Sequence, residues 1–145
     1  ARPAEAVATL GAALAGLDGR RVAVWGFAFK PGSGDTRGAQ AARVASALAE
    51  AGVCVRAYDP AASLAGRLSG GIEAAVDPYE AVEGADALAI LTPWPQFAQA
   101  DWRRVRAALR GPIVFDPWGC APSEALAAAG LRPIRLPPQR GGEVR

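Results

Sequence analysis

Short apolar runs alternate along this chain with stretches whose apolar residues recur at helical spacing. Residues 3–15 place Ala, Val and Leu on one stripe, with Gly16 just past the last periodic position, where helices commonly end. Residues 21–25 form a short, mostly apolar run closed by Gly26, the pattern of a strand buried on both faces. A Gly- and Pro-punctuated loop over 26–37 leads into residues 39–51, whose apolar positions 42, 44, 45, 48 and 49 share one helical face ended by Gly52. The alternation then repeats, with a strand over 53–58, a helix around 61–68, a strand near 72–75, a short helix over 78–82 and a strand over 87–91. A helix over 101–110, a strand over 112–115, a helix over 122–129 and a last strand over 131–134 complete it. Strands alternating with helices predict an α/β fold. It is a doubly wound, Rossmann-like parallel sheet of about five to six strands with helices on both faces, because right-handed crossovers must pass over the sheet. The polar, aperiodic residues 136–145 are expected to form a mobile tail.

Composition narrows the chemistry. The chain has 145 residues, 51% of them hydrophobic and 21% charged, which suits one globular domain. It contains no His, which removes imidazole bases, Ser-His and Cys-His nucleophile pairs, and metal sites that need a His ligand. Its two Cys are too few for a structural zinc site or a disulfide framework. Cys54, inside the second strand, reads as a small buried hydrophobe. Cys120, near a helix start, occupies a position where a thiol pKa can be depressed, but it has no neighbouring base. No residue reads as catalytic and none as a metal ligand. A net charge of +2 is too small to argue for nucleic acid as a partner, and the longest apolar stretches are too short to span a membrane. Of the sixteen basic residues fifteen are Arg, so the lone Lys30 marks its surroundings for inspection. The absence of Met leads us to expect a processed chain or a segment of a longer one.

Lys30 lies in the loop after the first strand, where ligands of doubly wound sheets bind. Residues 26–37, GFAFKPGSGDTR, combine glycines, a Lys, an Arg and two hydroxyls ahead of a helix. Exposed backbone N–H groups, the helix's partial positive charge and two cations favour an anion. The dinucleotide fingerprint Gly-x-Gly-x-x-Gly is broken at Ala28 and Pro31, and no Walker loop is present. Asp59, after the second strand, could serve as a ribose-holding carboxylate, although Asp59-Pro60 reads better as a strand-ending turn.

The chain resembles the C-terminal, UDP-binding domain of the UDP-glucose/GDP-mannose dehydrogenases. The resemblance is carried by Val22–Pro31 (VAVWGFAFKP), Asp35-Thr36-Arg37, Val55–Pro60 (VRAYDP), Asp77–Ala81 (DPYEA), Gly84–Ala87 (GADA), Leu91–Trp94 (LTPW) and Phe115-Asp116, in register from about Gly19 to Ile134. It implies that Phe29 and Lys30 contact a UDP-sugar, with Lys30 near the diphosphate. It also implies that Arg37 reaches an NAD held mainly by an amino-terminal dehydrogenase lobe, supplied in cis or in trans. Residues 1–18 would be the end of a connecting and dimerisation helix, residues 19–135 the UDP-sugar-binding domain, and a homodimer and a cytoplasmic location would go with them. Asp35 is expected to cap the following helix rather than touch substrate.

Two departures stand out. The family's usual Gly-Arg-Asn after Phe115-Asp116 is replaced by Pro117-Trp118-Gly119, and its usual Glu before Trp94 by Pro93. Trp118 is therefore either a substrate-stacking ring or a packed rim residue. The function implied is the nucleotide-sugar-binding part of an NAD-dependent UDP-glucose 6-dehydrogenase-like oxidoreductase, not catalytically complete by itself. A stand-alone, non-catalytic nucleotide-sugar-binding module is the alternative, and an NAD-binding domain in its own right a third reading, weakened by the broken fingerprint.

Overall fold

A computed structural model describes residues 3–27, 37–60 and 72–136, with the side chains of 37–39 excluded. The elements are α1 (Pro3–Leu14), β1 (Arg21–Trp25), α2 (Arg37–Glu50), β2 (Cys54–Tyr58), β3 (Ile72–Ala74), α3 (Pro78–Val82), β4 (Ala87–Ile90), α4 (Trp102–Ala108), β5 (Ile113–Phe115), α5 (Ser123–Ala128) and β6 (Arg132–Ile134). The strands form one sheet in the order β3-β2-β1-β4-β5-β6, every pair parallel. This is the expected doubly wound α/β architecture.

Because successive strand residues face opposite sides of the sheet, the core divides in two. On one face Val22, Val24, Val55, Ala57, Ala89 and Phe115 pack against Leu10 of α1 and Val44 and Leu48 of α2. On the other, Ala23, Trp25, Leu88, Ile90 and Val114 pack against Val82 of α3, Trp102 and Val105 of α4 and Leu126 of α5. Each buried Leu, Val or Ile side chain contributes about 1.5–3 kcal/mol. The helix starts have local causes. Asp77 caps α3 by accepting the Tyr79 and Glu80 N–H groups, the Glu80 carboxylate accepts the Val76 N–H in return, and Asp101 caps α4 through the Arg104 N–H.

Several expectations are adjusted. A 3₁₀ turn over Pro95–Gln99, which has no helical periodicity to announce it, buries Phe97. Cys54 is exposed rather than buried. In β2 the alternation turns Val55 and Ala57 into the core and puts Cys54, Arg56 and Tyr58 on the opposite side. There the cover is the five-residue α3, too short to shield the amino end of the strand. The expected helix around 61–68, the Asp35 cap and the tail from residue 137 lie outside the described residues. No helix among the described residues is long and apolar enough to cross a membrane.

Candidate functional site

The strand order reverses between β1 and β4, whose successors depart to opposite sides, and ligands of doubly wound sheets bind outside the carboxyl ends at such a switch point. Four loops meet there.

The loop after β1 begins at Gly26, with φ +88°, and approaches Thr92 so closely that a Cβ on Gly26 would stand 2.5 Å from the Thr92 Cβ and 2.7 Å from its backbone nitrogen. Thr92 Oγ1 donates to the Gly26 carbonyl at 3.0 Å, and the Gly26 N–H donates to Tyr58 across β2 at 2.8 Å. Asp59, 4% exposed, accepts the Phe27 N–H at 3.0 Å and the Trp94 indole N–H at 3.2 Å on the same oxygen. It therefore clasps the start of the β1 loop to the loop after β4. This goes beyond a strand-ending turn, and it commits to the protein a carboxylate that a ribose would require.

The loop after β5 is pinned in the same way. Asp116 is fully buried and accepts the Cys120 and Ala121 N–H groups, one on each oxygen, both at 2.9 Å. Trp118 between them is 40% exposed, and its indole N–H donates to the Leu91 carbonyl at 2.9 Å. With Pro117, Leu91 and the α2 residues Gln40, Ala41 and Val44 it encloses a narrow cleft. Trp118 is thus on the rim of the crevice and anchored to it.

Of the residues singled out from the sequence, Trp118 is placed at the crevice and Arg37 is the first residue of α2. Phe29, Lys30 and the side chain of Arg37 lie outside the described residues. Sequence reasoning missed Asp59 and Asp116 as organisers. Their signal was present in two acidic residues each placed just after a predicted buried strand, where an ionised side chain needs partners.

The Cys120 thiol is not depressed by its place near a helix start. Burial pushes it up to about 11, and the Asp116 carboxylate adds to the rise by disfavouring a nearby thiolate. At neutral pH almost none of it is thiolate, the reactive form. Iodoacetamide at neutral pH should therefore label the exposed Cys54 and largely spare Cys120, with Cys120 labelling climbing as pH approaches about 11. Peptide mass spectrometry reads both sites, and equal labelling at neutral pH would contradict this account. Among the described residues no three His, Cys, Asp or Glu side chains group to hold a metal ion.

A parallel doubly wound sheet with interlocked loops at its switch point places the chain in the Rossmann-like class of α/β domains. Residues 23–123 match the UDP binding domain of the UDP-glucose/GDP-mannose dehydrogenase family, and the chain belongs to that family. It is 45% identical over 105 residues to a UDP-glucose 6-dehydrogenase of Pseudomonas aeruginosa, covering 68% of this chain and 23% of that protein. A Rhizobium meliloti UDP-glucose 6-dehydrogenase is 37% identical over 117 residues, covering 80% and 27%. The solved structure of a UDP-glucose dehydrogenase from Pyrobaculum islandicum superposes with a TM-score of 0.62 at 30% identity, over 86% of this chain and 27% of that one. An NDP-N-acetyl-D-galactosaminuronic acid dehydrogenase from Methanosarcina mazei shares the fold with a TM-score of 0.74 at 22% identity, over 92% and 29%. The chain spans about a quarter of the length of these relatives.

Proposed function

We propose that this chain holds the UDP moiety of a nucleotide-sugar in the crevice between the loops after β1 and β4. It would act as the substrate-binding part of an NAD-dependent UDP-glucose 6-dehydrogenase-like oxidoreductase. The observation that carries this reading is the match of residues 23–123 to a UDP binding domain, on a sheet whose switch point lies between β1 and β4. Phe29 and Lys30 are assigned to the nucleotide-sugar, with Lys30 beside the diphosphate. Arg37, opening α2, is assigned to the side facing an amino-terminal dehydrogenase lobe. The N-terminus of the 14-residue α2 adds a partial positive charge to that of Lys30, which suits a diphosphate.

When bound, NAD supplies hydride acceptance for oxidation of the sugar's C6 alcohol. The crevice of this chain does not fit NAD itself. The glycine fingerprint is broken, and Asp59, at the position of a ribose-binding acid, is buried and bonded to Phe27 and Trp94. The cofactor therefore belongs to the partner lobe.

Lys30 and one further charged contact supply about 1.5–3 kcal/mol each, against an association cost of at least about 4 kcal/mol, so the isolated chain should bind UDP at millimolar strength or weaker. Chemical-shift titration should show weak UDP binding that Lys30→Ala removes, and no comparable response to NAD. Saturation by NAD without a response to UDP would replace this reading with a dinucleotide site.

A further inference from the structure

We propose that Arg135 is a second cation for the diphosphate, alongside Lys30, an inference that rests on the crevice binding a nucleotide-sugar as proposed above. Arg135 is the first residue after β6, so it stands at the carboxyl end of the sheet, where ligands of doubly wound folds bind. The residue is exposed, yet its guanidinium folds back onto the loop after β5. A Cβ on Gly119, whose φ is +67°, would stand 3.2 Å and 3.3 Å from the two terminal nitrogens. Any side chain at position 119 would therefore meet the fork, and glycine leaves the approach to it open. The base beneath is fixed. The Asp116 N–H donates to the Ile134 carbonyl at 2.9 Å, binding the end of β5 to the end of β6 one residue before Arg135. The Asp116 carboxylate pins the loop from inside, and the Trp118 N–H ties it to Leu91 at the end of β4. A guanidinium carried on such a loop loses little beyond its own rotamer freedom when a ligand arrives.

Charge selects the ligand group. Among the described residues no carboxylate pairs with the Arg135 guanidinium and no acceptor bonds it. Other arginines are committed within the fold: Arg20 to the Leu14 carbonyl, Arg56 to Glu73, Arg106 to the Leu109 carbonyl and Arg110 to Asp86. Arg21 and Arg132 open β1 and β6, which puts them at the amino ends of the strands, away from the crevice. The loop under Arg135, Pro117-Trp118-Gly119, carries no charge of its own to answer it. A guanidinium is a planar fork of donors with no acceptor, and its geometry matches two oxygens of one phosphate. Each phosphate of a nucleotide-sugar's diphosphate carries a negative charge, and Lys30 answers one of them. Arg135 is then the further charged contact that, with Lys30, brings UDP binding to millimolar strength.

The test titrates the unaltered 145-residue chain, Arg135→Gln, Arg135→Lys and Arg132→Gln with UDP, inorganic pyrophosphate and uridine at constant ionic strength, read as the initial slope of chemical shift against concentration. Arg135→Gln should weaken UDP and pyrophosphate binding about 10- to 150-fold, the effect of one charged hydrogen-bonded contact, and leave the response to uridine unchanged. Arg135→Lys should recover only part of the loss, since Lys offers a point charge without the fork. Arg132→Gln removes the same charge from the far end of β6 and should leave both ligands nearly unaffected. Equal losses in the two Gln variants would trace the effect to net charge and overturn the proposal. In the unaltered chain the Arg135 Nε–H resonance should move with UDP and pyrophosphate and stay still with uridine. That signal needs no variant, and its absence also overturns the proposal, as does a pyrophosphate response that sulfate reproduces, which marks an adventitious anion only. If Lys30→Ala removes UDP binding and Arg135→Gln does not, the assignment of Arg135 fails and the reading of the crevice stands. Failure of the unaltered chain to respond to UDP at all is a different result, and removes the reading of the crevice together with this proposal.

Discussion

Gly26→Ala should destabilise the domain by about 2–5 kcal/mol and lower its thermal midpoint by about 6–20 °C. Two costs add. Gly26 has φ +88°, a backbone conformation that costs an L-residue about 1–2 kcal/mol. The new methyl would also stand 2.5 Å from the Thr92 Cβ and 2.7–2.8 Å from its backbone nitrogen and oxygen, so the ends of β1 and β4 must separate. Overpacking of that kind costs about 1–3 kcal/mol, and here it opposes the Thr92 Oγ1 bond to the Gly26 carbonyl. Gly130→Ala separates the two costs. Its φ is +82° and its Cβ meets nothing within 4 Å, so only the conformational part, about 1 kcal/mol, should be lost. Urea unfolding of both variants gives the comparison, and similar losses for the two would refute the steric account of Gly26.

Asp116→Ala should cost about 2–5 kcal/mol. The carboxylate is fully buried and satisfies two backbone N–H groups, and each donor left unpaired costs about 1–3 kcal/mol. Asp116→Asn keeps an acceptor for one of the two and should lose about half as much. The same variants report on Cys120. Removing the carboxylate takes away the smaller of the two causes that raise its thiol, so the pKa should fall from about 11 while staying above the ordinary range, because burial remains. Alkylation rate against pH reads this directly. An unchanged Cys120 profile in Asp116→Asn would show that the carboxylate does not act on the thiol.

The site was legible in proportion to how local its causes are. Lys30 and Arg37 stood out as candidates because their loop carries its own signature of glycines, hydroxyls and cations within twelve residues, and Phe29 entered through the family resemblance. The roles of Asp59 and Asp116 did not, because the groups they hold are set by packing. The Asp59 carboxylate bonds the N–H of a residue 32 positions earlier and an indole 35 positions later, and Thr92 reaches back 66 positions to Gly26. Cys54 was misread for a related reason. A strand's alternation tells which residues share a face, but the length of the helix covering that face decides how far the cover extends.

The sequence by itself determined the class of fold, through short apolar runs between helical stripes, and it determined the family, through motifs that are contiguous in the chain. Only the tertiary structure decided the strand order, which faces form the two cores, and that Asp59, Thr92 and Asp116 lock the loops of the crevice. It also decided how Trp118 stands, half in water with its N–H bonded to Leu91. The physical reason is that periodicity and glycine placement act over a few residues. A buried carboxylate or an anchored indole is defined by its partners, and those are brought together only when the sheet forms.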